Sequence, residues 1–137
     1  MRGSAYKDRF EAGRLLADKL MEYADDRKVI VLGLPRGGVP VACEVAKKIH
    51  APLDVMVVRK LGVPGWEELA MGAVASGGVR VLNHALIQAL GISPVTVDAV
   101  TTLERRIVER RERHLRQAMA PLQLAGRTVI LVDDGVA

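Results

Sequence analysis

Apolar residues in this chain follow two rhythms, short unbroken runs and sparser helical stripes, and the two alternate. The runs Val29 to Leu34 (VIVLGL), Leu53 to Val58 (LDVMVV) and Thr128 to Val132 (TVILV) predict strands of a parallel sheet buried on both faces. Between the first two lie Pro35-Arg36-Gly37-Gly38 and a helical pattern from Val39 to His50. Pro40 sits in the first turn of that pattern, where its missing N–H costs nothing. The result is a strand–helix–strand unit. Upstream, Phe10, Leu15, Leu16, Leu20 and Tyr23 recur at helical spacing and predict an amphipathic helix from Asp8 to about Tyr23.

The middle of the chain is punctuated differently. Arg59 to Gly65 (RKLGVPG) reads as a loop broken by glycine and proline. Ala70 to Ala75 and Val79 to Leu82, separated by Ser76-Gly77-Gly78, predict a β-hairpin. Asn83 to Leu90 reads as a short helix ended by Gly91. Ser93-Pro94 is an N-cap followed by proline at the first helical position. From there Val97, Val100, Leu103, Ile107 and Leu115 predict one apolar stripe on a long helix reaching about Met119. Pro121 ends it, Gly126 marks a turn, and the buried strand Thr128 to Val132 follows. The fold class is α/β: a mostly parallel, Rossmann-like sheet flanked by helices, with the hairpin and long helix inserted before the last strand. No repeat or low-complexity linker divides the 137 residues, so a single domain is expected.

Composition narrows the class. With 50% hydrophobic and 26% charged residues the chain is globular, not disordered. No apolar run approaches the roughly 20 residues of a membrane span. The first residues are charged and lack a signal-peptide core, so a cytoplasmic location and no membrane partner are expected. The single Cys43 excludes an internal disulfide, and its apolar flanks favour a core role over a nucleophilic one. The net charge of +4 is concentrated: six arginines and three glutamates lie between Glu104 and Arg116. That segment fits an exposed helix face paired as Glu109–Arg113 and Glu112–Arg116. It also fits a hood over a ligand, or a nucleic-acid surface. Interleaved glutamates and few aromatics disfavour nucleic acid.

Ligands of open α/β sheets collect beyond the carboxyl ends of the strands. Here the first strand ends in Pro-Arg-Gly-Gly, the second in Arg59-Lys60 and the last in Asp133-Asp134. Two anion-binding ends and one acidic end would face one crevice, suiting a ligand with phosphates plus sugar hydroxyls or a metal. Arg36-Gly37-Gly38 precedes a helix, so amides and dipole can hold an anion, though a tight turn alone also needs glycine. Arg59-Lys60 also fits solvated charges at a strand end. Two adjacent acids after a buried strand are costly unless something cationic or hydroxylic meets them, which favours a ligand or metal site over a helix cap.

Three segments in order carry a family resemblance. VILVDDGVA resembles the first part of the phosphoribosyl-pyrophosphate motif of type I phosphoribosyltransferases. GLPRGGVPVA resembles their pyrophosphate loop, and VVRKLGVPG their Arg-Lys segment, as in adenine- and orotate-type members. The stretch VPGWEELAMGAVASGGVRVLN is most similar to a phosphoribosyltransferase-like bacterial group without an assigned base. The resemblance runs from about Asp8 to Ala137. It implies that Arg36, Gly37 and Gly38 hold pyrophosphate through backbone amides, in a loop that often carries a non-proline cis peptide. It assigns Arg59 and Lys60 as catalytic cations that neutralise pyrophosphate. Asp133 and Asp134 would hold the ribose hydroxyls and help place Mg²⁺ indirectly, and Gly135, Val136 and Ala137 would complete the substrate-binding segment. The implied reaction transfers ribose 5-phosphate from phosphoribosyl pyrophosphate to a nucleobase, with Mg²⁺ as cofactor and pyrophosphate released. Its cation-like transition state makes positioning and electrostatics the main sources of catalysis.

The sequence also departs from the pattern. Ala137 stands where 6-oxopurine-type members place an aspartate, which disfavours that subclass. The Thr-Gly pair that normally follows is not in the sequence. The domain is therefore expected to be incomplete at its C-terminus, without the 5′-phosphate loop, and the chain alone unable to complete the transfer. An unpaired edge at the last strand would favour a homodimer. Trp66 fits either stacking on a base or hydrophobic cover. The alternative function is a non-catalytic phosphoribosyl-pyrophosphate sensor or an RNA-binding regulator. A phospho-accepting receiver domain fits less well, since its acid pair follows the first strand.

Overall fold

The computed structural model describes residues 8–116 and 122–135. These form two compact units, one from residues 8–56 with 123–135 and the other from 57–116 with 122. Each unit has its own hydrophobic cluster, and the clusters share no residue.

In the first unit, helix α1 (Arg9–Asp18) precedes strand β1 (Val29–Gly33), helix α2 (Gly38–Ile49), strand β2 (Leu53–Val55) and, far along the chain, strand β6 (Thr128–Val132). The sheet order is β2-β1-β6, all parallel. β1 is buried along its whole length, as its unbroken apolar run requires. Gly33 is in register with both Val55 and Val132, so the three strands end at one level. α2 turns Val41, Ala42, Val45, Ala46 and Ile49 inward and packs on this sheet. It stops at His50, which takes a left-handed conformation with φ 57° while its N–H bonds the Ala46 carbonyl. Cys43 lies half-buried on the same helix.

α1 starts at Asp8, whose carboxylate accepts from the Glu11 N–H. Its buried positions are Gly13 and Ala17, not Phe10 and Leu15, which are exposed. The reason is close helix contact: a Cβ at Gly13 would lie 2.6 Å from the Glu44 Cβ and 2.8 Å from the Val41 carbonyl. Small residues therefore line the seam with α2. Leu16, Leu20 and Tyr23 pack at its margin, and the helix gives way to a 3-10 turn at Met21–Tyr23. β6 also departs from expectation. Only Val132 is buried, while Val129 and Leu131 are exposed, because β6 is an edge strand that α2 covers on one face.

The second unit is an antiparallel meander of β3 (Val58–Val63), β4 (Trp66–Ala75) and β5 (Val79–Leu82), followed by α3 (His84–Ala89) and α4 (Pro94–Arg116). The expected hairpin is present as β4 and β5, with Gly77 and Gly78 at positive φ in the connection. The segment expected to be a loop is instead β3, closed on β4 by Pro64-Gly65. Accordingly β2 ends at Val55 and not at Val58. Gly62 misled the reading because it sits inside the strand, at a register shift. A Cβ there would come within 2.7 Å of the Glu67 carbonyl.

Asn83 caps α3, and Ser93 caps α4 by accepting from the Thr96 N–H. α4 buries Val97, Thr101, Val108 and Arg116, whereas Leu103 and Leu115 are exposed. Its inner face is partly polar: the Thr101 hydroxyl donates to the Val97 carbonyl, and Glu104 is half-buried in an ion pair. The predicted last turn near Met119 and the stop at Pro121 lie outside the described residues. The α/β class stands, with a separate antiparallel sheet of its own. Among the described residues no helix is long and apolar enough to cross a membrane.

Candidate functional site

The aligned carboxyl ends of β1 and β6 bring two of the three expected segments together. The loop after β1 carries a cis peptide between Pro35 and Arg36, as the resemblance implied. Gly37 then caps α2 with no side-chain partner. Asp133 and Asp134 leave β6 directly beside it. A Cβ at Gly37 would overlap the Asp134 carboxylate, and one at Gly38 would lie 2.6 Å from the Val132 carbonyl and 3.0 Å from the Asp133 Cα. At Gly38 the obstacle is backbone, so glycine is required there; at Gly37 it is the end of the Asp134 side chain.

The amides of the loop divide into two classes. The Gly38 N–H donates to the Leu34 carbonyl at 2.9 Å, and the Val39 N–H to the Arg36 carbonyl at 3.2 Å. Among the described residues nothing accepts from the N–H groups of Arg36 and Gly37. Gly38 therefore shapes the turn, and the donors open to an anion are Arg36 and Gly37, at the N-terminal end of a twelve-residue helix. The Arg36 side chain is exposed.

The acid pair is exposed, not buried. Asp133 accepts from the Asp134 N–H at 2.8 Å. Asp134 meets a cation that the sequence did not announce: Arg9 of α1, Nη2 to Oδ2 at 3.1 Å. That pair spans 125 positions and has no local signature. Gly135 is exposed, and Val136 and Ala137 lie outside the described residues.

Arg59 and Lys60 belong to the second unit and do not end a parallel strand. Strand alternation in β3 puts Arg59 on the side of buried Leu61 and Val63, and Lys60 on the other. Arg59 is 32% exposed and gripped by Glu104 of α4, with Nε to Oε2 at 2.9 Å and Nη2 to Oε1 at 3.4 Å. Arg59, Lys60, Glu67, Glu104 and Arg111 contribute to one cavity of about 620 Å³ within this unit. Glu104 is a second residue that sequence reasoning missed as a partner, 45 positions away. On the arginine-rich helix, Arg116 lies 3.8 Å from Glu112 as expected, while Glu109 and Arg113 form no ion pair. Trp66 is 59% exposed and lines a second cavity of about 470 Å³ together with Pro64, Leu90 and Ile92.

Among the described residues no three His, Cys, Asp or Glu side chains cluster as a metal cage. The donors available near the loop are the two exposed carboxylates. That set fits Mg²⁺, which keeps waters and substrate oxygens and needs only one or two protein carboxylates.

Comparison with known proteins identifies the family. The family model described as "Phosphoribosyl transferase domain" matches residues 4–137. Two Mycobacterium tuberculosis proteins, from different strains, carry the name "Putative phosphoribosyl transferase" and are each 48% identical over 132 residues. The match takes in 96% of this chain and 30% of each relative, so the chain spans under a third of their length. The crystal structure of the Thermus thermophilus protein TT1426 is similar with a TM-score of 0.74 and 38% identity, over 96% of this chain and 62% of that one.

Proposed function

Because the chain belongs to the phosphoribosyl transferase domain family, we propose that it binds phosphoribosyl pyrophosphate with Mg²⁺ for ribose 5-phosphate transfer to a nucleobase. The observation that carries this reading is the apposition of Gly37 and Gly38 with Asp133 and Asp134 at the ends of adjacent parallel strands. One side of that point donates hydrogen bonds and the other accepts them. A ligand with pyrophosphate beside a vicinal diol satisfies both.

In this reading the N–H groups of Arg36 and Gly37 hold a pyrophosphate oxygen at the start of α2, aided by its dipole. Asp133 and Asp134 accept hydrogen bonds from the ribose hydroxyls and orient the ring. The diol approaches a carboxylate already contacted by Arg9, which holds the Asp134 side chain in place. For Arg59 and Lys60, which belong to the second unit, the family resemblance supplies the role of neutralising pyrophosphate charge. Mg²⁺, held by Asp133 and Asp134 through water or the ribose oxygens, would add charge neutralisation on the pyrophosphate. The base nitrogen attacks C1 from the face opposite the leaving group, with inversion.

Calorimetric titration of the chain with phosphoribosyl pyrophosphate in Mg²⁺ tests the binding half, and pyrophosphate release with a panel of nucleobases tests the transfer. Saturable binding that weakens in D134N is expected. Absence of binding by the wild-type chain would remove the reading.

A further inference from the structure

We propose that Glu104 is a positioning residue that presents Arg59 to a pyrophosphate anion in the cavity of the second unit, a role that rests on the family reading just given. The geometry is side-on: Glu104 takes the Nε and Nη2 edge of the guanidinium. Among the described residues nothing is bonded to Nη1. Arginine's planar fork makes this division effective, since fixing one edge fixes the direction of the others. Both side chains are largely covered, 32% and 20% exposed, so neither is a floppy surface group. The cavity they line also receives Lys60 and Arg111, which makes its wall cationic beyond what Glu67 and Glu104 neutralise.

The pair does a job that neither residue does alone. Arg59 lies on the face of β3 that packs against α4, and an untethered guanidinium there would sample several rotamers. Glu104 reaches it from the middle of α4, a position that the sequence pattern assigned to the solvent face. Both residues line the cavity, and the carboxylate engages Nε and Nη2 of the guanidinium, leaving Nη1 as the donor not engaged by Glu104. Glu104 therefore orders the cation while one of its terminal nitrogens stays available to an anion.

A double-mutant cycle on magnesium pyrophosphate binding tests this, using wild type, E104Q, R59A and R59A/E104Q. The glutamine keeps the shape of Glu104 and removes its charge. The expected result is a loss of about tenfold in E104Q, the size of one charge-assisted hydrogen bond. R59A should lose at least as much, and the double variant no more than R59A. Independent, additive losses would show that Glu104 does not act through Arg59. Tighter binding in E104Q would show that it competes with the anion instead. Either result overturns the proposal, as does unchanged binding in E104Q. If wild type binds neither pyrophosphate nor phosphoribosyl pyrophosphate, the functional reading itself fails, an outcome separable from the others. Side-chain NMR gives a second readout that a role in overall stability would not move. The Arg59 Nε–Hε resonance should be sharp and slowly exchanging in wild type, and broadened in E104Q while backbone spectra of the two coincide. An unbroadened Arg59 signal in E104Q would contradict the proposal.

Discussion

The two units place candidate binding groups by different means. In the first, the groups are set by backbone: three strands end in register, a glycine loop turns into a helix, and the acids are the next residues of the edge strand. In the second, Arg59 is set by another side chain, Glu104, reaching it from a helix 45 positions later. A backbone-built site appears in a sequence as contiguous motifs, because the same few residues make both the turn and the contact. A site built on side-chain pairs leaves no such trace. The comparison also separates what a mutation should cost: backbone approach fails through sterics, whereas a side-chain pair fails through lost orientation.

The largest expected effect comes from removing the acceptors of the first unit. The double change D133N/D134N should weaken phosphoribosyl-pyrophosphate binding at least about 100-fold, since each charged hydrogen bond contributes roughly 1.5–3 kcal/mol. Calorimetry checks the affinity, and an unchanged circular dichroism spectrum checks the fold, since both acids are exposed. Next comes Gly38→Ala, whose Cβ would meet the backbone of Val132 and Asp133. It should destabilise by about 1–3 kcal/mol, as overpacking does. Hydrogen exchange should rise in β1 and α2 before it rises in β4 and β5, because the two cores share no residue. Equal loss across both units would break the distinction between them.

Gly37→Ala should behave differently from its neighbour. The nearest atoms its Cβ would meet belong to the Asp134 carboxylate, the movable end of a side chain. The expected cost is under about 1 kcal/mol of stability but about tenfold in ligand affinity, one charged hydrogen bond displaced. The smallest effect is expected at Leu103→Ser on the exposed face of α4, within about 0.5 kcal/mol in urea unfolding.

The same contrast explains what could be read from the sequence. β1, α2, the span of β6 and the Ser93 cap of α4 were legible, because apolar runs and a Ser-Pro start are local signals. So was the pairing of the glycine loop with the acid pair, since strand ends of a parallel sheet converge. β3 was not, because Gly62 and Pro64 look like loop punctuation until Glu67 is seen crossing the glycine. The inner face of α4 was misread because a half-buried glutamate paired to arginine breaks the apolar stripe. Arg9 was invisible for the same reason: its partner lies at the other end of the chain.

The central claim is that one ligand bridges the loop after β1 and the acids after β6. Amide NMR of the chain titrated with phosphoribosyl pyrophosphate in Mg²⁺ tests it most directly. The account predicts saturable shifts that share one affinity at Arg36, Gly37, Asp133 and Asp134. Shifts confined to other residues, or none at saturating ligand, would contradict it.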